Sequence, residues 1–286
     1  SALRKIADVL ATTPTVAEAP DAHPLPPIEG HIRLTNVSFS YDHVTEVLGG
    51  VDVEIAAGET FAFVGPTGAG KSTLAKLVTR FHDPTQGSVT MDGHDLREVT
   101  LHSLREQLGV VPQEPFLFQG TIRDNITFAL SLDEQAAGSS AGAEISDDVI
   151  HHAIDLVGLT ETVDKLPDGI DTIVHERGTS LSAGERQLLA LARAFVASPR
   201  VIVLDEATSS LDLGSEARIE QALDGLLEGR TAVMIAHRLA TAMKADRIAV
   251  VDGGGIAELG THDELVALGG TYAAMFATWS AHTGNG

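Results

Sequence analysis

The chain has 286 residues, 43% of them apolar, and a formal charge of −21 at pH 7, which is enough for one large domain or a domain plus a subdomain. An acidic balance of this size argues against a general nucleic-acid or anionic-membrane surface, since both need clustered Lys and Arg to neutralise phosphates. There is no Cys, which excludes disulfides and thiolate metal sites, and no signal-peptide pattern or apolar run of about 18 residues from which a transmembrane helix would be expected.

At the start, Leu3, Ile6, Ala7 and Leu10 share a helical face and a Pro-rich stretch runs from Pro14 to Pro27; this reads as a short helix and linker or, equally, as a disordered tail. From Gly30 onward, Ile32, Leu34, Val37 and Phe39, then Val51, Val53 and Ile55, predict two half-exposed strands. Tyr41 follows the first; its ring fits either stacking on a base or half burial against a sheet. TFAFVG (60–65) is a continuous apolar run ending in Gly, as expected of a strand covered on both faces. GPTGAGKS (65–72) matches G-x-x-x-x-G-K-S after a buried strand and before a helix, the context that motif requires. There the glycines let backbone N–H groups close around phosphate oxygens, Lys71 brings a charge to the terminal phosphates and Ser72 offers a hydroxyl to Mg²⁺.

Further along, Gln113 in VVPQEPFLFQ is a metal- and water-facing candidate or a structural polar residue. Between about 120 and 198 the apolar spacing turns mostly helical (Val149, Ile150, Ala153, Ile154, Val157; Leu188 to Phe195), interrupted by AAGSSAGA (136–143), a surface loop by composition. Ser182 and Glu185 form a capping-box pattern at the head of the helix that runs on to Phe195, and that helix start can also receive an anion. VIVLDE (201–206) runs four apolar residues into two carboxylates, Asp205 suited to Mg²⁺ and Glu206 to activating a water as general base. TAVMIA (231–236) and RIAVV (247–251) are further buried strands, with helical stretches near 72–80, 215–227 and 239–244, giving an α/β core. His237 ends the first of these strands, either as a γ-phosphate contact or as a structural polar residue.

Together these segments resemble the ATP-binding cassette (ABC) family, and particularly the nucleotide-binding domain of exporter-type transporters, from Ile32 to about Tyr272. The resemblance implies an α/β P-loop NTPase core with a mostly parallel sheet, an antiparallel β subdomain and an inserted helical subdomain at about 120–198. Its cofactors would be ATP and Mg²⁺. Tyr41 would stack on adenine, and Gly65, Pro66, Thr67, Gly68, Ala69, Gly70, Lys71, Ser72 and Thr73 would form the Walker A loop. Gln113 would be the Q-loop residue, with Ser72 and Asp205 beside it on the metal; 201–206 would be Walker B, Asp212 of SSLD the D-loop and His237 the switch histidine, with Glu206 the catalytic base. LSAGERQ (181–187) resembles the signature, usually LSGGQ, so Ser182, Ala183, Gly184 and Glu185 would meet ATP held by a second nucleotide-binding domain packed head to tail.

Ala183 and Glu185 depart from the usual Gly and Gln, and His175 stands for a usual Gly beside the signature; Ser182 and Gly184 are kept, so a working loop is expected. The exporter resemblance rests on QEPFLFQGTIRDNI, the ERG segment and the leading residues, which look like the exit from a last transmembrane helix. It implies residues 1–29 as helix and linker from a membrane domain, residues 30–286 as the nucleotide-binding domain, and transmembrane domains as partners at the cytoplasmic face of the membrane; the membrane domain is expected either on another polypeptide or, the reading favoured because the chain begins with Ser, as a part missing from this one. The alternative is a soluble cassette ATPase acting on DNA or ribosomes, against which the acidic balance and absence of basic runs count.

Overall fold

In the computed structural model, the described residues are 15–128, 145–175, 181–205, 213–236 and 238–283. Strands β1 (Ile32–Ser40), β2 (Glu46–Ile55), β4 (Gln86–Met91) and β5 (His94–Asp95) form an antiparallel sheet in the order β2-β1-β4-β5. The apolar positions of β1 skip from Leu34 to Val37, yet both are buried. A β-bulge absorbs the extra residue: the register with β2 slips between Leu34 and Val37, and Asn36 takes φ 48°, so the buried face is recovered.

Strands β3 (Thr60–Val64), β6 (Leu108–Val111), β9 (Val201–Asp205), β10 (Thr231–Ile235), β11 (Arg247–Asp252) and β12 (Gly255–Gly260) make the second sheet, ordered β12-β11-β3-β10-β9-β6. Only β12 runs antiparallel, pairing with β11 at the edge. Continuous apolar runs are required here because both faces are covered. Phe61, Phe63, Val201, Val203, Val233 and Ile235 pack into one core with the antiparallel sheet and the helix Lys71–Val78. Ala62, Val64, Ile202, Leu204 and Met234 pack into another.

That second core also holds the helical stretch. Ile150 and Ile154 of the helix Asp147–Leu156 and Leu188, Leu191 and Ala192 of the helix Ala183–Ala197 join it. A two-residue pairing of β7 (Gly120–Thr121) with β8 (Ile173–Val174) ties the stretch together. The helices between 120 and 198 therefore share their core with one face of the parallel sheet. The helix Thr271–Thr283 closes the described chain, with Tyr272 fully buried and its phenol pushed up to about 12 by burial.

Residues 15–29 lie strapped along the segment 97–107. His23 bridges to Val99, the Leu101 N–H donates to Glu18 Oε1 at 2.5 Å, and the Leu25 N–H donates to Ser103 Oγ at 2.8 Å. Gln107 uses both ends of its amide: Oε1 accepts from the Ile28 N–H at 2.8 Å, while Nε2 donates to the carbonyls of Leu25 at 3.4 Å and Pro26 at 3.0 Å. Leu25 and Ile28 are buried. Gln107→Leu should cost about 1–2 kcal/mol, because backbone groups of the strap lose partners. Urea unfolding would give the loss, and hydrogen exchange should quicken at the Ile28 amide.

Candidate functional site

The parallel strands place their C-terminal ends along one edge. Registers Ile235↔Asp205, Ile235↔Phe63 and Val111↔Leu204 show that β3, β6, β9 and β10 end nearly level. The segments that follow β3, β6 and β10, beginning at Gly65, Pro112 and Ala236, leave the same edge, where ligands of open α/β sheets bind.

After β3 the chain turns through Gly65 (φ 141°) and Gly68 (φ 83°) to Gly70 (φ 107°), the N-cap of the helix Lys71–Val78. A Cβ on Gly65 would lie 2.1 Å from the Val251 carbonyl oxygen, so close packing and positive φ both require Gly there. Gly70 supplies no side-chain cap, which leaves the first N–H groups of the helix for a ligand. Pro66, Thr67, Gly68 and Ser72 are exposed, while Ala69 and Thr73 are buried. Lys71 is buried to 4% exposure, and its Nζ donates to the carbonyls of Gly65 at 2.8 Å and Pro66 at 2.9 Å. The ammonium is thus held across the concave side of its own loop.

Tyr41 is half exposed. Its hydroxyl hydrogen-bonds Thr73 Oγ1 at 3.1 Å, linking the ring to the P-loop helix, and its edge-to-face contacts with Phe39 and His82 fix the ring plane. The neighbour Asp42 plays a part that sequence reading missed. Its Oδ1 accepts from the N–H groups of Thr45 at 2.7 Å and Val44 at 2.9 Å and from Ser40 Oγ at 3.0 Å. These bonds, the Thr45 N–H first, hold the carboxyl well below the usual carboxylate range and shape the turn that presents Tyr41. An Asp one residue before a polar turn was the available signal.

Asp205 is half buried at the end of β9, and Gln113 is exposed two residues past β6. With the exposed Ser72 they offer a carboxylate, an amide oxygen and a hydroxyl. This all-oxygen set suits Mg²⁺, which takes few protein ligands and retains waters and substrate phosphates; among the described residues no group of three or more His, Cys, Asp or Glu competes as a metal centre. Glu206, Asp212 and His237 lie outside the described residues.

At the second anion-binding candidate, Ser182 caps the helix Ala183–Ala197 in a complete capping box. Ser182 Oγ accepts from the Glu185 N–H at 3.2 Å, and Glu185 Oε2 accepts from the Ser182 N–H at 2.8 Å. The cap uses Ser182 Oγ as an acceptor, so its O–H stays a donor, as do the N–H groups of Ala183 and Gly184, which have no intrahelical acceptor. Neither Ala183 nor Gly184 has positive φ, so Ala183 sits in the helix without strain. Glu185 spends its charge on the cap.

A sequence profile for the family described as ABC transporter matches residues 48–209, which span both anion-binding candidates. The chain belongs to the ABC transporter family. It is 45% identical over 268 residues to an uncharacterized ABC transporter ATP-binding protein, YwjA, of Bacillus subtilis (strain 168), covering 94% of this chain and 44% of that protein. It is 41% identical over 269 residues to an ATP-dependent lipid A-core flippase of Syntrophus aciditrophicus (strain SB), covering 94% and 43%. The structure of a bacterial Atm1-family ABC exporter with ATP bound is similar at a TM-score of 0.85 and 39% identity, over 96% of this chain and 46% of that one. The chain thus spans less than half the length of these relatives. It is an ATP-binding domain of the exporter type, in a family that hydrolyses ATP. Among the described residues no helix is long and apolar enough to cross a membrane.

Proposed function

We propose that this ABC domain binds MgATP on the 65–73 loop and hydrolyses it in a head-to-tail pair with a second nucleotide-binding domain, driving export through transmembrane domains at the cytoplasmic face of the membrane. The observation that carries the reading is the pairing of an uncapped helix start with the buried Lys71 ammonium at the open edge of the parallel sheet. Tyr41 stacks on adenine, Thr73 steadies it, and the amides from Gly65 to Thr73 hold the phosphates. Ser72, Gln113 and Asp205 hold Mg²⁺, which offsets phosphate charge. Glu206 takes a proton from the attacking water and His237 steadies the γ-phosphate, with Asp212 at the contact between domains. From the partner domain, Ser182 O–H and the Ala183 and Gly184 N–H groups close over that phosphate, with Glu185 as their cap.

The membrane partner has a surface suited to it. A groove of about 590 Å³ is lined by Leu101, Val110, Pro115, Phe116 and Arg193, with Glu18 of the strap at its wall. Phe116 is 54% and Val110 41% exposed, an apolar opening that fits a short helical segment of a transmembrane domain.

Replacing Lys71 with Ala tests the reading at its centre. MgATP should bind about 2–4 kcal/mol more weakly, since a charge-assisted contact to phosphate is lost. Calorimetric titration measures this directly; unchanged affinity removes Lys71 from the site.

A further inference from the structure

A second cavity, of about 330 Å³, opens between the helix Leu213–Leu227 and the turn that follows the helix Leu239–Ala242. Thr60 lines it, at the opposite end of β3 from Gly65, so it is separate from the phosphate loop. Its floor is apolar: Leu223 is 5% and Met234 3% exposed, with Leu227 partly buried beside them. Its rim is charged, and unevenly so. Glu220, Asp224 and Glu228 line it at intervals of four residues, a spacing that brings three carboxylates to one side of a helix and its end. Among the described residues that line the cavity, Lys244 is the one cation. Its Nζ donates to Asp224 Oδ1 at 3.3 Å and Oδ2 at 3.5 Å and lies 3.5 Å from Glu220 Oε2. Lys244 and Asp224 are both exposed, and ion pairs this long in contact with water are weak and open to exchange. Three negative charges against one positive leave the rim with two in excess.

We propose that this cavity is a binding site for a small organic cation, one ammonium group on an apolar body, with the body seated on Leu223, Leu227 and Met234 and the ammonium between Asp224 and Glu228. The volume is in the range of small-molecule pockets, which combine an apolar lining with a few placed polar groups. An apolar floor rewards an apolar body with burial, and a rim with excess negative charge selects its sign. A neutral molecule of the same shape leaves Asp224 and Glu228 without a charge-assisted partner, and an anion meets repulsion from the rim in a protein whose formal charge is already −21. The incoming ammonium takes the place of Lys244 at Asp224, and Lys244 keeps Glu220. The site depends neither on the nucleotide nor on a second domain.

The test is a titration of the whole chain with tryptamine, its neutral analogue tryptophol and the anion indolepropionate, followed by methionine-methyl NMR with the Met234 signal assigned through Met234→Leu. Tryptamine should shift the Met234 methyl saturably and leave that of Met91, fully buried in the other core, in place. Tryptophol should bind about tenfold more weakly, since it lacks the charge-assisted contact, and indolepropionate should cause no shift. Asp224→Asn combined with Glu228→Gln, both at exposed positions, should bring tryptamine down to the affinity of tryptophol. Saturating MgATP should change the tryptamine affinity by less than about twofold, as for sites without shared partners. No movement of Met234 at about 10 mM tryptamine, where even a weak ligand of this size fills its site, overturns the proposal. Equal affinity for tryptamine and tryptophol overturns it too, as does a double variant that binds tryptamine like the wild type. If the double variant does not fold, the ratio of the two wild-type affinities decides alone. Competition between tryptamine and MgATP would place the cation on the phosphate loop and overturn the separate site.

Discussion

Glu206→Gln should slow ATP turnover by roughly 10²–10⁴-fold, about 3–5 kcal/mol of barrier, while ATP remains bound. Four buried residues, Val201 to Leu204, bring β9 to the open edge, and Asp205 there is half buried. Glu206 follows Asp205 directly in the sequence, and the strands on either side of β9 end level with it. On the proposed reading, one acid serves the metal and the next the attacking water. The amide keeps shape and polarity but accepts no proton, so binding and chemistry should separate. Loss of negative charge beside the γ-phosphate should also favour dimerisation with ATP, visible by light scattering. Wild-type turnover in this variant would remove Glu206 as the base.

Mixing two inactive proteins should restore hydrolysis. Lys71→Ala removes the ammonium held across the 65–73 loop, and Ser182→Arg fills the space before the helix Ala183–Ala197; each homodimer should be nearly inactive. In a mixed dimer built head to tail, one site carries both lesions and the other neither, so a working site reappears. An arrangement in which each chain completes its own site regenerates nothing. The experiment needs wild-type activity that rises more than linearly with protein concentration, and mixed dimers verified by differential tagging. With both in hand, absence of recovery would leave Ser182 a helix cap and no more.

The strands were legible in the sequence where the physics is local. Phe61 to Val64 must be apolar throughout because alternate residues enter different cores, and Ser182 with Glu185 spells a capping box that the structure contains atom for atom. The turns at Gly65, Gly68 and Gly70 were readable because these glycines meet conformational demands few other residues can. Strands β6 and β12 are less distinct: β6 is four residues long with Gly109 inside it, and β12 is an edge strand whose side chains are mostly not buried. The strap of residues 15–29 was not legible as packed structure, because its partners, Ser103 and Gln107, lie some eighty residues away and polar side chains at such distance leave no periodic trace. Arg193 was hidden for the same reason: its targets, the carbonyls of Phe116 and Asn125, lie some seventy residues away.

The strap has a mechanical consequence. Fifteen residues of flexible chain would wander with an end-to-end spread of about 20 Å, enough slack to take up most of a rigid-body displacement before any of it was felt. Held at Glu18, His23, Leu25 and Ile28, this stretch has almost no play. Whatever is joined ahead of residue 15 is therefore geared directly to the segment 97–107 and to the groove wall that Glu18 forms, so that a pull at one end arrives as a movement at the other.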